Sequence, residues 1–500
     1  MGEQRMNKSA LEMTVSDFEK HIKSLTEVLV QEVKDQPHQA TKKEFDEETF
    51  KSIFSGLDKK WDKEESIFGK DLLKALGVGG VDDNTPGYMG SIPGGGLLQS
   101  SLGDFLTSVI NRWPGLYEFA PGILEVEKEV IQWLCQVMGF KTGAGGIFTS
   151  GGSMANFNSI YVSRIKKLGD DFSHGTIYIS DQAHYSFIKS VKMAGIAPNK
   201  VRKVKTLANC TMSPQHLKDL VEEDIQKGLR PFLVATTAGT TQTGAIDPLK
   251  DIAEVCQEYD CWFHVDAAWG GSYRLTKRGK LLMKGIENAD SITIDPHKAF
   301  WTPWGCGAFL VADPRDLYQA FSVKADYLPF EEGAELTLNP ANISGELSRN
   351  ARGLQLWLPI KLCGAEAFTK ALNEKLDLAY QAFDSISKMD GLSLIHPPAL
   401  GIVSFSFDIE GASEAYCNKL TEDLLDRINQ DDRIYLTGTT VKGKFLVRIA
   451  PMHFRTHKKH VDYVLDLVDK HRREILREIG YSWYLHRNLY SMTKLGLLSS

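Results

Sequence analysis

The stretch that decides the fold runs from PFLVATT (231–237) through LKDIAEVCQEYD (249–260) to CWFHVDAA (261–268). The first and last segments are short apolar runs, which indicate buried strands, and the middle segment is typical of a helix. A strand, a helix and a second strand in this order form a βαβ unit, whose two strands lie parallel in one sheet. We therefore expect an α/β fold.

The same alternation extends in both directions along the chain. Strand-like runs occur at 146–150, 176–180, 201–207, 291–295 and 307–311, and helical segments lie around 154–168, 186–194 and 214–226. Strands that alternate with helices of about 10–15 residues predict a mostly parallel sheet with flanking helices. In such sheets ligands bind at the carboxyl ends of the strands.

The sequence before and after this predicted sheet has a different pattern of apolar residues. Apolar residues spaced by three and four over 14–33 predict an amphipathic helix. Beyond about residue 385, short strands, a helix around 413–429, a hairpin over 434–451 and a long final helix predict a smaller α+β unit. We expect three parts: an N-terminal helical segment (1–85), a large ligand-binding domain (86–380) and a small C-terminal α+β domain (381–500).

The composition, with 42% hydrophobic and 24% charged residues, is that of an ordinary globular protein. A formal net charge of −6 gives no basic footprint for nucleic acid. No window approaches about 18 consecutive apolar residues, and the N-terminus shows no apolar export segment. Seven scattered cysteines indicate neither a disulfide framework nor a metal site. We expect a cytoplasmic protein that binds no metal, nucleic acid or membrane.

Two neighbouring strand ends carry a carboxylate and a lysine. HVDAAWGG (264–271) delivers Asp266, and SITIDPHKAF (291–300) delivers Lys298. Pyridoxal phosphate requires both, because an acid keeps its pyridine nitrogen protonated and a lysine binds its aldehyde as a Schiff base. Partial desolvation of Lys298 predicts a lowered pKa for its amine. A solvated lysine and a helix-capping aspartate are the ordinary alternatives.

A glycine-rich turn lies between a predicted strand and a predicted helix. This turn, TSGGSMAN (149–156), would hold a phosphate through its glycines and through the backbone N–H groups of Ser153 and Met154. A glycine pair alone is weak evidence, since the turn matches neither common nucleotide-binding pattern. Its meaning comes from an acid and a lysine in the same sheet.

Two further loops contribute candidates. His184 follows the strand at 176–180 and would lie flat on a cofactor ring, although a half-exposed loop histidine is the ordinary alternative. The loop 236–248 offers Thr240 and Thr241 for phosphate or ring contacts. A polar loop that leads into a helix is the alternative there.

Taken together, these segments resemble the group II pyridoxal-phosphate-dependent amino-acid decarboxylases. The segments that carry the resemblance are TSGGSMAN, SDQAHYS, TTAGTTQTGAIDP, HVDAAWGG, DPHKAF and RNARGLQLWLP. The resemblance runs over about residues 80–365 and continues more faintly to about 470. It implies the aspartate-aminotransferase-like fold (fold type I), pyridoxal 5'-phosphate as cofactor and an L-amino acid as substrate.

The resemblance also implies roles for single residues. Lys298 is the Schiff-base lysine, Asp266 the partner of the pyridinium nitrogen, and His184 the ring-stacking base. The residues that would serve the cofactor beside these are Ser153, Met154, Thr241, Asp295 and His297. Asp295 stands where many members of the family have asparagine.

The substrate is open between two classes. The chain is similar to bacterial aromatic-L-amino-acid and tryptophan decarboxylases and also to glutamate decarboxylases. The aromatic loop NRWPGLYEFAPG (111–122) suits an aromatic substrate or a subunit interface. Arg448 suits an acidic substrate (glutamate, aspartate or cysteine sulfinate) or a structural salt bridge. We expect decarboxylation to the amine and carbon dioxide, with an aromatic substrate favoured.

One departure from the family pattern motivates other outcomes. Many members donate a proton from a tyrosine on a mobile lid, but the corresponding stretch 329–353 contains none, and Tyr327 lies before it. The alternatives are an aldehyde synthase, an aminotransferase and a non-catalytic binding protein. In members of the family the site lies between two protomers, and N-terminal helices clasp the partner, so the helix at 14–33 implies a homodimer. A helix that packs on its own chain is the alternative.

Overall fold

A mostly parallel sheet forms the centre of the fold. The computed structural model describes residues 13–54, 76, 79–92, 95–323 and 339–494. The strands are β1 (Lys42–Lys43), β2 (Gly80–Val81), β3 (Gly145–Thr149), β4 (Gly175–Ser180), β5 (Val201–Val204), β6 (Arg230–Thr237), β7 (Trp262–Asp266), β8 (Ser291–Ile294), β9 (Gly307–Val311), β10 (Leu392–Leu394), β11 (Val403–Phe407), β12 (Thr437–Val441) and β13 (Lys444–Ile449).

The helices of the described residues follow the predicted alternation. They are α1 (Val15–Asp35), α2 (Glu47–Phe54), α3 (Leu98–Ile110), α4 (Pro121–Met138), α5 (Gly152–Leu168), α6 (Ser186–Met193), α7 (Pro214–Gln226), α8 (Leu249–Glu258), α9 (Lys277–Leu282), α10 (Arg315–Phe321), α11 (Pro340–Ile343), α12 (Gly353–Cys363), α13 (Ala365–Ile386), α14 (Glu414–Ile428) and α15 (Lys458–Lys494).

The central sheet has seven strands in the order β3-β9-β8-β7-β6-β4-β5. Strand β9 is antiparallel to both of its neighbours, and the other adjacent pairs are parallel. Parallel strands need crossover connections, and the helices between β4 and β8 supply them. The predicted α/β architecture with a mostly parallel sheet is confirmed.

Both faces of this sheet are buried, which explains why its strands are apolar runs rather than alternating ones. In β9, Phe309 and Val311 belong to one core cluster, and Ala308 and Leu310 belong to the cluster on the opposite face. Successive side chains point to opposite faces of a strand, so a strand covered on both sides is buried at every position and is largely apolar.

The C-terminal part contains a second, smaller sheet of four antiparallel strands in the order β10-β11-β13-β12. The predicted hairpin is formed by β12 and β13, and its turn residues Lys442 and Gly443 have φ of 50° and 87°. Positive φ at both turn positions suits the right-handed twist of a two-residue hairpin. The predicted α+β unit is confirmed.

Helix α13 joins the two parts. Its residue Leu376 belongs to the core of the large sheet, whereas Ala379 and Ala382 belong to the core of the small unit. The predicted boundary between 380 and 381 therefore lies within a continuous helix. That boundary and the one between 85 and 86 stay predictions.

Helix α1 forms where the spacing of apolar residues predicts it. The side chain of Thr14 caps it by accepting a hydrogen bond of 3.0 Å from the N–H of Asp17. None of its residues is buried. No helix in the described part of the chain has the apolar length that a bilayer crossing requires.

Candidate active site

The carboxyl ends of five strands, β3, β4, β6, β7 and β8, border one cavity. This cavity has a volume of about 310 Å³. It lies where the parallel topology predicts a ligand site. The cavity is lined by the eight residues to which the resemblance assigns a role at the cofactor: Ser153, Met154, His184, Thr241, Asp266, Asp295, His297 and Lys298.

Asp266 is the last residue of β7 and is 5% exposed. One carboxylate oxygen, Oδ1, accepts a hydrogen bond of 3.1 Å from the N–H of Ala268. The other, Oδ2, accepts one of 2.9 Å from Nδ2 of Asn156. Donors on both oxygens fix the orientation of the carboxylate at the wall of the cavity.

Lys298 lies in the turn that follows β8. Its Nζ is 2.9 Å from Oδ2 of Asp295, and the side chain is 21% exposed. Burial by itself lowers the pKa of Lys298, but the carboxylates of Asp295 and Asp266 outweigh burial and raise that pKa above its usual value. The predicted lowering of the pKa is therefore wrong for the cofactor-free chain, because a buried counter-ion sits beside the amine.

Several buried polar atoms at the cavity have no hydrogen-bond partner among the described residues. They are Oδ1 of Asp295, Nδ1 of His297 and Nε1 of Trp269. Burial lowers the pKa of His297, so its imidazole is held neutral and can still donate from one nitrogen. An unpaired buried polar group costs about 1–3 kcal/mol, so these atoms fit a polar ligand.

The glycine-rich turn approaches these residues closely. A Cβ on Gly152 would lie 2.7 Å from Oδ2 of Asp295, and one on Gly151 would lie 3.2 Å from Cε1 of His297. Helix α5 begins at Gly152, and the N-terminus of a helix favours an anion. The N–H of Met154 already donates to the carbonyl of Gly151 at 3.0 Å, so it would share that hydrogen with a phosphate.

His184 lies between β4 and α6 and points its Nδ1 at Ser186. The hydroxyl of Ser186 is 2.8 Å from Nδ1, and the N–H of Ser186 donates to the same atom at 3.3 Å. Burial lowers the pKa of His184; the carboxylate of Asp266 opposes this effect, and the charge of Lys298 adds to it. The imidazole is therefore neutral.

The two threonines of the loop after β6 lie in different surroundings. The hydroxyl of Thr240 is buried inside the loop, where it bonds Thr243 at 3.0 Å and accepts from the N–H of Ala245 at 3.1 Å. Thr241 lines the cavity, and its carbonyl accepts a bond of 2.7 Å from Nη1 of Arg448. Of the two threonines, Thr241 is thus the one available to a ligand.

Other predicted features lie elsewhere. The closing segment 329–353 is outside the described residues as far as 338, and so is Tyr327. In the aromatic loop 111–122, Trp113 donates to the carbonyl of Leu347 at 3.1 Å. Among the described residues, none from 111–122 lines the cavity of its own chain.

The structure adds residues that the sequence did not single out. Asn156, Trp269 and Trp304 line the cavity. Asn156 belongs to the quoted glycine-rich segment, and an asparagine on the buried face of a helix is a signal that a polar partner lies beneath it. Trp304 is 61% exposed at the site and lies six residues after Lys298.

The known proteins to which this chain is similar include amino-acid decarboxylases. The pyridoxal-dependent decarboxylase conserved domain matches residues 56–408. The aromatic-L-amino-acid decarboxylase of Bacillus atrophaeus is 33% identical over 74% of this chain and 78% of its own length. The acidic amino acid decarboxylase GADL1 of Bos taurus is 32% identical over 65% of this chain and 64% of its own.

A solved structure agrees over nearly the whole chain. Tryptophan decarboxylase of Catharanthus roseus, in complex with L-tryptophan, is 25% identical, with a TM-score of 0.85 over 93% of this chain and 99% of that one. This likeness confirms the expected fold, and the domain match confirms the resemblance. With a lysine, a carboxylate and a glycine-rich turn around one cavity, the chain belongs to the pyridoxal-dependent decarboxylase family and is an enzyme that uses pyridoxal phosphate to decarboxylate an amino acid.

Proposed function

We propose that Lys298 holds pyridoxal phosphate in the cavity and that the substrate is an aromatic L-amino acid. The observation that carries this proposal is the placement of Lys298, Asp266 and the turn at 150–154 around one cavity. The unpaired Nδ1 of His297, which lies against the turn at Gly151, supports a phosphate beside that turn.

Different residues would bind the different parts of the cofactor. Lys298 would bind the aldehyde through Nζ, and Asp266 would hold a proton on the ring nitrogen. His184 would lie against the ring face, since a neutral imidazole is flat and carries no repelling charge. The phosphate would be held by Ser153, Met154, Thr241 and His297.

When bound, the cofactor supplies an electron-withdrawing ring that accepts the electrons of the bond to the departing carboxylate. The chain's own residues set the protonation around that event. Asp266, fixed by donors on both oxygens, would keep the ring nitrogen charged. When the amine of Lys298 is not bonded to the cofactor, Asp295 keeps its Nζ protonated. An N–H donor then lies in the cavity beside the position that the aldehyde would occupy.

The lining of the cavity favours an aromatic over an acidic substrate. Among the described residues that line the cavity, Lys298 is the one lysine or arginine. The side-chain carboxylate of an acidic substrate would therefore find no guanidinium in the cavity wall. Arg448 uses Nη1 for the carbonyl of Thr241 and Nη2 for the hydroxyl of Thr437, at 2.7 Å each, and its Nε, unpaired among the described residues, is buried. The exposed indole of Trp304 offers an aromatic surface instead.

The direct test incubates the purified protein and pyridoxal phosphate with each of the twenty L-amino acids and with cysteine sulfinate. Carbon dioxide, amine and hydrogen peroxide are measured together, with Lys298→Ala as the blank. We expect equal amounts of carbon dioxide and amine from an aromatic amino acid. Carbon dioxide from glutamate, aspartate or cysteine sulfinate alone would contradict the aromatic substrate. Carbon dioxide from no amino acid would contradict the proposed site.

An aldehyde-forming outcome is the second candidate, and the sequence favours it at one point. The stretch 329–353 lacks the tyrosine that the family's lid commonly carries. In the same assay, carbon dioxide with peroxide and aldehyde in place of amine would identify this outcome.

We also infer a homodimer from apolar surfaces that a single chain leaves uncovered. Helix α3 exposes Leu102 (60%), Phe105 (47%) and Val109 (53%) on one side, and no residue of α1 is buried. Exposed apolar faces of this extent mark protein interfaces. Light scattering should give twice the chain mass, and Leu102→Asp should shift it towards the monomer. A monomeric parent protein would contradict the inference.

A cytoplasmic location is the accompanying proposal. The seven cysteines are free thiols, and six of them are buried. Unpaired thiols are typical of proteins kept in a reducing compartment. Fractionation of the source cells would test the location.

A further inference from the structure

Two buried side chains connect Asp266 to His184. Nδ2 of Asn156 donates to Oδ2 of Asp266 at 2.9 Å and to Oγ of Ser186 at 3.0 Å. Oγ of Ser186 lies 2.8 Å from Nδ1 of His184. The path crosses from β7 through α5 to α6, so it depends on three separate elements of the fold.

The direction of each hydrogen bond follows from the atoms present. An amide nitrogen carries two hydrogens, and Asn156 has two acceptors for them. Its Oδ1 accepts from Oγ1 of Thr293 at 2.8 Å, and a flipped amide would set that oxygen against the carboxylate of Asp266. The orientation of Asn156 is therefore fixed by the acid.

The hydroxyl of Ser186 then has only one use for its hydrogen. It accepts from Asn156, so it donates to Nδ1 of His184. The backbone N–H of Ser186 is directed at the same nitrogen. Two donors on Nδ1 leave the ring proton on Nε2, the other side of the imidazole.

Burial keeps this path intact. Asn156 and Ser186 are each 1% exposed, so water does not compete for their hydrogen bonds. In such surroundings hydrogen bonds are strong, and a missing partner is costly. The hydrogen bonds of Asn156 and Ser186 therefore keep one defined set of directions.

We propose that Asn156 and Ser186 are positioning residues that hold His184 as the Nε2–H tautomer and tie its orientation to the carboxylate of Asp266. The use of His184 against the cofactor rests on the proposed function above, whereas the tautomer is a property of the chain itself. The orientations of Asp266, at the ring nitrogen, and of His184, at the ring face, then depend on each other.

The test reads the ring nitrogens of His184 in the cofactor-free protein. Nitrogen-15 resonances distinguish a protonated from an unprotonated ring nitrogen, and comparison with His184→Gln identifies the signals. We expect an unprotonated Nδ1 and a protonated Nε2 in the parent protein. In Ser186→Ala the backbone N–H of residue 186 stays as the one remaining donor to Nδ1, so signals of the Nδ1–H tautomer should appear beside those of the Nε2–H tautomer. Ser186→Thr should restore the parent signals.

A matched control lies one turn further along α6. Ser190 is also buried, and its hydroxyl donates to the carbonyl of Ser153 at 3.5 Å. Ser190→Ala should leave the nitrogen signals of His184 unchanged. Parent-like signals in Ser186→Ala, or a protonated Nδ1 in the parent protein, would overturn the proposal.

Binding of pyridoxal phosphate gives a second readout. Loss of one buried hydrogen bond should weaken the affinity of Ser186→Ala for pyridoxal phosphate about tenfold, with recovery in Ser186→Thr. If the parent protein binds no pyridoxal phosphate, the proposed function fails, while the tautomer measurement still decides this inference.

Discussion

The amine of Lys298 and the carboxylate of Asp295 form an ion pair of 2.9 Å between residues three apart in one turn. The same turn is closed by a backbone hydrogen bond of 2.9 Å from the N–H of Lys298 to the carbonyl of Asp295. The pair raises the pKa of Lys298 although burial acts in the opposite direction. The cofactor-free chain therefore holds an ammonium ion, which must lose a proton before it can attack an aldehyde.

Replacing Asp295 by asparagine should lower the pKa of Lys298. Asparagine keeps the shape and removes the main opposing charge, so burial then dominates. The reactivity of Lys298 towards an amine-selective reagent, followed by peptide mass spectrometry over a range of pH, should shift to lower pH. Asp313→Asn, at a surface ion pair with Arg315, is the matched control. Equal profiles in parent protein and Asp295→Asn would contradict the assignment of the charge.

The strand ends could be predicted from sequence, but the contacts between them could not. A strand covered on both faces is largely apolar, so β7 and β8 and the residues that follow them can be recognised in the sequence. The ion pair of Lys298 depends on the three-dimensional shape of a turn. The bond from Asn156 to Asp266 joins residues 110 apart, and no local pattern encodes it.

Lys298→Ala should abolish covalent retention of pyridoxal phosphate. No other lysine lines the cavity among the described residues, so borohydride reduction should fix no cofactor on the protein. Turnover should fall by about 10³-fold or more, as for other catalytic nucleophiles. Lys298→Arg keeps the charge beside Asp295 and serves as the control for folding. Cofactor that borohydride still attaches to Lys298→Ala would refute the role of this lysine.

Asp266→Ala should separate cofactor attachment from catalysis. Lys298 is untouched, so borohydride should still fix the cofactor on the protein, whereas turnover should fall by about 10²–10⁴-fold because the ring nitrogen loses its acid. The two readouts distinguish this result from unfolding, which would remove both. Near-normal turnover in Asp266→Ala would show that another group protonates the ring.

His453 should make the protein less stable in mild acid. It is buried, and burial, followed by the nearby charges of Arg455 and Lys375, lowers its pKa to about 3 from the usual 6.5. Below its usual pKa the unfolded chain binds a proton that the folded chain excludes, so stability falls as the pH drops from 6.5 towards 3. Between about pH 7 and pH 5.5 this histidine should cost about 1 kcal/mol of the free energy of unfolding. Urea unfolding at both values should show that much less loss in His453→Gln than in the parent protein, whereas above pH 7 the two should change in parallel. An equal loss in both proteins would mean that the folded chain admits the proton.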